Sequence, residues 1–289
     1  NRLQPFFCRT TKEQLEVPPA LPDKILTCPA GGEENRLLEL LVQQYRRNKL
    51  ALFLRILQLE SNPRLLLQKL DIREFRYLLD DAAPGGEIDF ADYSQEARRL
   101  IEACPPSTKL RRCVQLTGEL VKEGKPVILW CVFLDSIHTL SEALEARGVS
   151  TRCIYGAVPL EERQDILRDF KAGRFQVLLT NPHTLAESVS LHSVCHDAVY
   201  FEYSYNLVHL LQSKDRIHRL GLPKGQYTQY VFLQTEYLTE NGPWSMEGVV
   251  YQRLRQKERT MLEAIGQRTL EVLPTSEEDL EMIFKPLLQ

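Results

Sequence analysis

The chain has 289 residues, with 36 Lys and Arg against 39 Asp and Glu, and a formal net charge of −3. This balance excludes a globally basic nucleic-acid-binding protein, and 43% hydrophobic with 26% charged residues excludes an intrinsically disordered one. No apolar run approaches the roughly 18–20 residues that a membrane-spanning helix needs, so no membrane association is expected. The chain begins without Met or a signal-peptide pattern, and we expect it to be a piece of a longer protein.

The seven Cys residues form no CxxC pair. Their odd number and apolar neighbours predict buried free thiols, as in a protein of a reducing cytosol. His192, Cys195 and His196 form a short cluster that could suggest zinc. No fourth ligand is evident, so packing is the favoured interpretation and no metal site is expected.

Residues 1–106 are interpreted as a linker followed by a mainly helical leader. Five prolines in the first 32 residues predict an extended linker. Apolar residues at spacings of three and four then predict helices over residues 33–60, 64–80 and about 94–103. The first of these helices ends at Asn62-Pro63, where the proline disfavours helical geometry in the residue before it.

Residues 107–235 are predicted to form one α/β domain. Ser107 is a suitable N-cap for a helix that reaches about Lys122. Further strands are predicted at 126–133, 151–155, 176–180, 197–201 and 227–233, and further helices at 136–147, 159–172 and 206–219. This alternation predicts a parallel sheet with helices on both faces. Residues 236–289 are predicted to add two helices, at 243–267 and 276–286, packed on the domain.

The chemistry is expected at the carboxyl ends of the strands, where open α/β sheets bind ligands. The chain has neither GxxxxGK[ST] nor GxGxxG, so alone it is not expected to cradle a nucleoside triphosphate. On the predicted helix 206–219, Gln212, Arg216 and Arg219 have the spacing of one helical face, which suits bidentate contact with phosphate oxygens. Asp215 could orient a neighbouring arginine or loop. A solvated charged face is the alternative interpretation of these residues taken alone.

Several segments, in the right order, resemble one known family. Residues 212–221, with the pattern QxxDRxHRxG, resemble motif VI of the Swi/Snf-type ATPases of helicase superfamily two, and Leu222 replaces the usual final Gln. Residues 124–133 resemble motif IV, residues 155–163 resemble the DGSTPLEER segment, and residues 177–191 resemble motif V. Residues 5–24 and 57–66 are similar to the linker RPFxLRRTK…LPPK and to LRQICNHPxLL.

The resemblance implies that residues 107–235 are the second RecA-like lobe of an ATP-dependent DNA translocase. Glu187 stands where the family has a glycine in motif V, and Asn181-Pro182-His183 replaces the more common Thr/Ser-Arg-Ala. This variant resembles a bacterial subgroup that is often met near phage-defence loci. A location in the bacterial cytoplasm and unidentified defence-system partners are therefore expected.

The resemblance also implies roles for individual residues in ATP hydrolysis. Arg216 and Arg219 would act as arginine fingers on the γ-phosphate of ATP. Gln212, Glu187 and Asp215 would line the same cleft. The N-terminal RecA-like lobe of the same protein, which this chain lacks, would hold most of ATP and Mg²⁺. The chain alone is therefore expected to be inactive.

The resemblance further implies a DNA-binding track across the tips of both lobes. Gly156, Thr180 and Asn181 follow predicted strands and could contact phosphates without reading sequence. We expect duplex DNA. Two alternatives remain open: a catalytically retired lobe that binds protein or nucleic acid, and another two-domain α/β enzyme such as a nucleotide-sugar transferase.

Overall fold

The computed structural model describes residues 10–68, 70–71, 87–88, 95–182, 184–186, 189–267 and 276–288. Its strands are β1 Lys24–Pro29, β2 Leu70–Asp71, β3 Glu87–Ile88, β4 Val127–Trp130, β5 Thr151–Ile154, β6 Val177–Thr180, β7 Asp197–Tyr200, β8 Gln229–Thr239 and β9 Gly242–Trp244. Its α-helices are α1 Gly32–Tyr45, α2 Lys49–Ser61, α3 Gln95–Ala103, α4 Thr108–Lys122, α5 Leu134–Glu145, α6 Leu160–Lys171, α7 Leu207–Lys214, α8 Met246–Gln267 and α9 Ser276–Leu288. Short 3₁₀ helices span Pro63–Leu67 and Thr184–Ala186.

A parallel sheet organises the described part of the chain. Its strand order is β1-β8-β7-β4-β6-β5, and β9 pairs antiparallel with the end of β8. The short central strands β4, β6 and β7 are buried along their whole length, as their apolar sequences predict. Because these strands are parallel, their carboxyl ends form one edge of the sheet.

Helices cover both faces of this sheet. On one face, Leu129 of β4 packs with residues of α4 and α5 such as Cys113 and Ile137. On the other face, Trp130 packs with residues of α6, α7 and α8. This second core continues without a break into α1, α2 and α9. Trp130 is a core residue, since it is 1% exposed.

The predicted linker contributes a strand to the sheet. Residues 24–29 pair in parallel with β8, in the register Lys24↔Val231 to Pro29↔Glu236. The prediction of an extended linker over the first 32 residues therefore missed β1, because pairing with a strand some 200 residues away leaves little local signal. The division into three parts at residues 106 and 235 stays a prediction.

Several predicted helices have different bounds in the structure. The helix predicted at 33–60 is two helices, α1 and α2. The second begins at Lys49, after the N-cap Asn48, whose side chain accepts a hydrogen bond from the Ala51 amide (3.0 Å). Most of the helix predicted at 64–80 lies outside the described residues, and its beginning is a 3₁₀ helix followed by β2. The helix predicted at 243–267 begins at Met246, after β9. Within the described ranges, none of the helices has both the length and the apolar character to span a bilayer.

A buried charge cluster joins the leader to the sheet. Lys109, at the start of α4, is ion-paired with Glu247 at the start of α8, and both side chains are almost fully buried. Glu247 also accepts a hydrogen bond from the Thr235 amide of β8 (2.9 Å). Glu60 of α2 is fully buried near this pair. Burial raises the pKa of Glu60 well above its usual value, and the negative charge of Glu247 adds to this effect.

The substitution Glu60→Gln is expected to stabilise the protein more at pH 8 than at pH 5. Because the pKa of Glu60 is raised in the folded state, its contribution to stability is present below the unfolded pKa and is lost as pH rises through the folded pKa. The gain in the free energy of unfolding should therefore be larger at pH 8. Urea unfolding at both pH values measures it, with the exposed Glu161→Gln as the control. An equal effect of Glu60→Gln at the two pH values would contradict this account.

Candidate functional site

The predicted site residues lie in two separate places. Gly156 follows β5, Thr180 ends β6 and Asn181 follows it, so this group lies at the carboxyl edge of the sheet. Residues 215–228, here called the arginine loop, connect the carboxyl end of α7 to the amino end of β8. The arginine loop therefore runs toward the amino edge. The candidate residues therefore lie at both edges of the sheet and not at the carboxyl edge alone.

At the carboxyl edge, the three candidate residues differ in accessibility. The Thr180 side chain is fully buried, and its hydroxyl lies 3.5 Å from the Asn181 carbonyl oxygen. Asn181 is partly exposed, and its side-chain oxygen accepts a hydrogen bond from the Thr184 amide (3.1 Å). Gly156 is exposed, and its carbonyl accepts a hydrogen bond from Arg163 (2.8 Å). The accessible groups here belong to Gly156 and Asn181.

The predicted helix over residues 206–219 is wrong at its end. Asn206 is its N-cap, and its side chain accepts a hydrogen bond from the His209 amide, but α7 ends at Lys214. Arg216 and Arg219 lie in the arginine loop beyond it, whereas Gln212 is exposed on α7. The helical-face argument for these three side chains therefore fails. Their arrangement depends on contacts that residues distant in sequence make with the arginine loop.

The two arginines have different environments. Arg216 is 8% exposed, and its Nη1 donates a hydrogen bond to the Val189 carbonyl (3.2 Å). The Leu191 amide in turn donates to the Arg216 carbonyl (2.9 Å). Burial and the nearby charge of Arg219 lower the pKa of the Arg216 guanidinium. Arg219 is exposed. Of the two, Arg219 is the arginine that presents its side chain to solvent.

The segment before β1 packs against the arginine loop. We call residues 10–23 the strap. Lys12 of the strap is ion-paired with Asp215 and donates a hydrogen bond to the His218 carbonyl (2.8 Å). At the other end of the strap, Asp23 accepts from Lys214 (2.7 Å). Sequence analysis missed these contacts because Lys12 and Asp215 are 203 positions apart, and spacing carries no signal at that distance.

Glu187, the remaining candidate for the nucleotide site, lies outside the described residues, as does His183. The neighbouring residues Val189 and Ser190 are described and lie next to the arginine loop, through the contact of Val189 with Arg216. The roles predicted for Glu187 and for the other site residues stay predictions.

The cluster of His192, Cys195 and His196 is engaged in local contacts. The Ser190 hydroxyl lies 2.5 Å from Nδ1 of His192. The Cys195 thiol donates to the Pro126 carbonyl (3.3 Å), before β4. Burial lowers the pKa of both histidines. Within the described residues, no group of three or more His, Cys, Asp or Glu side chains could hold a metal ion.

The amino end of α5 is occupied by a carboxylate of the chain itself. This helix end follows β4 at the carboxyl edge, where backbone N–H groups can bind an anion such as phosphate. Here Glu202 accepts hydrogen bonds from the Val132 amide (2.6 Å), the Phe133 amide (2.9 Å) and the Ser136 hydroxyl. Glu202 is fully buried. The position therefore binds an internal anion.

The comparisons with known sequences concern the central part of the chain. Residues 108–221 match the family model of the helicase conserved C-terminal domain. The ATP-dependent helicase fft2 of Schizosaccharomyces pombe is 30% identical over 117 residues, which are 40% of this chain and 9% of that protein. The chromatin-remodeling ATPase INO80 of Neurospora crassa is 30% identical over 125 residues, which are 43% of this chain and 6% of that protein. The matched segment thus spans less than a tenth of the length of these two relatives.

Two solved structures match almost the whole chain. The C-terminal part of the Fun30 ATPase domain is 13% identical with a TM-score of 0.62, and the match covers 94% of this chain and 99% of that one. The SWI2/SNF2 ATPase core of Sulfolobus solfataricus, in complex with double-stranded DNA, is 17% identical with a TM-score of 0.57, covering 97% and 52%. The predicted fold class is confirmed: a RecA-like parallel sheet flanked by helices. Residues 108–221 are similar to the helicase conserved C-terminal domain, and the bacterial subgroup stays a prediction.

The substitution Gly221→Ala in the arginine loop is expected to destabilise the protein by about 2–3 kcal/mol. Gly221 has a φ of +99°, and an added Cβ would lie 3.1 Å from Nε2 of His192, whose ring is held by Ser190. Gly225, with a φ of +84° and open space around it, is a matched control that should cost only about 1 kcal/mol. Thermal unfolding of both variants measures the difference, and equal losses would show that the contact with His192 is unimportant.

Proposed function

We propose that the chain is the C-terminal RecA-like lobe of an ATP-dependent DNA translocase of the Swi/Snf type. The match to the helicase C-terminal domain, the order of the motifs and the fold support this proposal. The whole protein would hydrolyse ATP, and an N-terminal RecA-like lobe would hold ATP and Mg²⁺. This chain would supply one side of the cleft and would be inactive alone.

The observation that carries the proposal is the exposed Arg219 on an otherwise fixed loop. Phosphoryl transfer spreads negative charge over the equatorial oxygens of the transferred group, and a fixed guanidinium stabilises that charge. The loop backbone is held by Leu191 on one segment and by Lys12 on another, so Arg219 extends from an ordered base. Arg216 would have to leave the Val189 carbonyl to reach a phosphate, so we assign the first contact to Arg219.

The residues around the arginine loop fit the phosphates of ATP better than they fit Mg²⁺. Arg219 and Gln212 are exposed donors for phosphate oxygens. Asp215 is the only carboxylate in the sequence of the loop, and it is paired with Lys12. We therefore place Mg²⁺ with the N-terminal lobe, where it would neutralise phosphate charge, and we assign Asp215 to the support of the loop.

The DNA track would lie along the carboxyl edge, at Gly156 and Asn181. The exposed backbone at Gly156 and the amide of Asn181 can contact phosphates without reading bases. Thr180 would support this edge from within, because its side chain is buried. Residues 107–235 hold 15 basic and 13 acidic residues, so the lobe alone should bind DNA weakly and with a strong salt dependence.

A retired lobe that binds a protein is the second candidate function. Leu160, at the start of α6, is 58% exposed, and Val208, near the start of α7, is 57% exposed. Both lie at helix amino ends on the carboxyl edge, where the acidic residues Glu161 and Glu162 are also found. Apolar and acidic groups there favour a protein partner over DNA. The two experiments that follow separate the candidates.

The substitution Arg219→Ala should lower the kcat of the full-length ATPase by about 10³-fold, because it removes the charge that stabilises the transition state. Thermal unfolding should be unchanged, since the side chain is exposed. ATP hydrolysis is measured with duplex DNA, single-stranded DNA and RNA, and the exposed Arg168→Ala serves as the control. Arg216→Ala separates an effect on catalysis from an effect on folding less well, because Arg216 is buried. Full activity of Arg219→Ala would exclude the arginine-finger role, and an inactive wild type would favour the retired lobe.

The substitution Asn181→Asp should weaken duplex binding several-fold, because it places a negative charge next to the phosphate track. Asp retains the oxygen that accepts from the Thr184 amide, so the fold should be kept. Asn62→Asp is the matched control, since Asn62 caps a 3₁₀ helix in the same way within the leader. Fluorescence anisotropy with labelled duplex at two salt concentrations measures both variants. Identical affinities would exclude Asn181 from the track.

A further inference from the structure

Lys12 directs its ammonium group to three acceptors on the arginine loop. Nζ is paired with Oδ1 of Asp215, donates to the His218 carbonyl (2.8 Å) and lies 3.2 Å from Nδ1 of His218. A lysine ammonium has three hydrogens, so all of them are used on this loop. The two residues it contacts immediately precede Arg216 and Arg219. One side chain thus contacts the residue before each arginine, through the carboxylate of Asp215 and the backbone carbonyl of His218.

The backbone that carries Lys12 is ordered by its own turn. The Val17 amide donates to the Lys12 carbonyl (3.0 Å), which closes the turn. Thr11 and Gln14 exchange hydrogen bonds between backbone and side chain (2.9 and 3.2 Å). Val17 is buried beneath the turn. The ammonium is therefore presented from a fixed base, and little conformational freedom is lost when it binds the loop.

The rest of the strap follows the arginine loop to its end. Nε2 of His218 lies 2.8 Å from the Pro18 carbonyl, and the Leu21 amide donates to the Thr228 carbonyl (2.8 Å). Asp23 then accepts from Lys214 and from the Tyr251 hydroxyl, both at 2.7 Å. The strap is thus attached before the loop begins, in its middle and at its last residue.

These contacts determine the protonation of His218. The Pro18 carbonyl is only an acceptor, so Nε2 of His218 carries the hydrogen, and Nδ1 is left to accept from Lys12. Burial lowers the pKa of His218, and the charges of Lys12 and Lys214 act in the same direction. The hydrogen bond with the Pro18 carbonyl and the charge of Asp215 oppose this effect. A neutral His218 with hydrogen on Nε2 is therefore a signature of the docked strap.

We propose that Lys12 is a positioning residue for ATP hydrolysis, holding the arginine loop so that Arg219 and Arg216 meet the γ-phosphate. This inference rests on the proposed function. Lys12 touches neither ATP nor the reacting atoms in this account. It acts through Asp215 and His218, and its loss leaves the arginines present but misplaced. Misplacement of catalytic groups by about 1 Å can cost about 10²-fold in rate.

The test compares Lys12→Ala, Lys12→Arg and Lys224→Ala in the full-length protein. Lys224 is the matched control, because it pairs with Glu16 of the strap (3.3 Å) from the same loop but is 88% exposed. Lys12→Ala should lower kcat by about 10- to 100-fold with the KM for ATP changed less than threefold. Lys12→Arg should recover most of the rate, since it keeps the charge and the donors, and Lys224→Ala should behave like wild type.

A second measurement is independent of activity. In this chain, nitrogen NMR of His218 should show hydrogen on Nε2 in the wild type and in Lys224→Ala. In Lys12→Ala, His218 should titrate at a higher pH, because a neighbouring positive charge is removed. Lys12→Gln, which keeps a donor without the charge, serves if Lys12→Ala does not fold.

The outcomes separate this inference from the proposed function. An active wild type with an unimpaired Lys12→Ala overturns the positioning role alone. Loss of rate and of thermal stability together in Lys12→Ala assigns Lys12 a structural role and also overturns it. A wild type that hydrolyses no ATP with any nucleic acid overturns the proposed function, and the positioning role with it.

Discussion

The arginine loop is held by two segments that are distant from it in the chain, and the candidate nucleotide site depends on these contacts. A loop has no internal ladder of hydrogen bonds, so its backbone groups need partners elsewhere. Here the Leu191 amide binds the Arg216 carbonyl from one segment, and Lys12 binds the His218 carbonyl from another. As a consequence, Arg216 is buried and Arg219 is exposed. A helix would have placed both side chains on one face.

The strap can hold the loop because both lead directly into paired strands. The strap continues into β1, and the arginine loop continues into β8. The register Lys24↔Val231 therefore sets how far the strap reaches along the loop. The buried pair of Lys109 and Glu247 ties α4 to α8 behind this sheet, and removal of one partner would leave a buried charge uncompensated. The leader, the strap and the sheet consequently form one packed structure.

The sequence was informative where local patterns decide the structure. The apolar runs of β4 and β6 are buried on both faces, and the alternation of strands and helices after Ser107 was predicted correctly. The sequence was uninformative where a segment pairs with another that is distant along the chain. The residues of β1 lie among prolines and reach a partner strand some 200 residues later. The sequence after Lys214 is compatible with a helix, and the helix ends there while the loop beyond it pairs with Leu191 and Lys12.

The same limit applies to the candidate site. Motif spacing selected Arg216, Arg219 and Asp215 as candidates, but it placed the two arginines on one helical face. It could not show that Asp215 is paired with Lys12 or that Thr180 is buried. A pattern within one segment specifies residue types, whereas the orientation of a side chain in a loop is set by whatever packs against that loop.

Glu202 explains why such a chain would act on a phosphate held by another lobe. The amino end of α5 is the place where a RecA-like sheet offers backbone amides to an anion, and the Glu202 carboxylate already accepts from Val132 and Phe133 there. A phosphate entering this position would displace those hydrogen bonds and would bring two anions together in a buried site. The exposed Arg219 lies on the connection that leads to the opposite edge of the sheet. In the proposed function, the lobe therefore needs no phosphate loop of its own, because it contributes positive charge to a nucleotide that the N-terminal lobe binds.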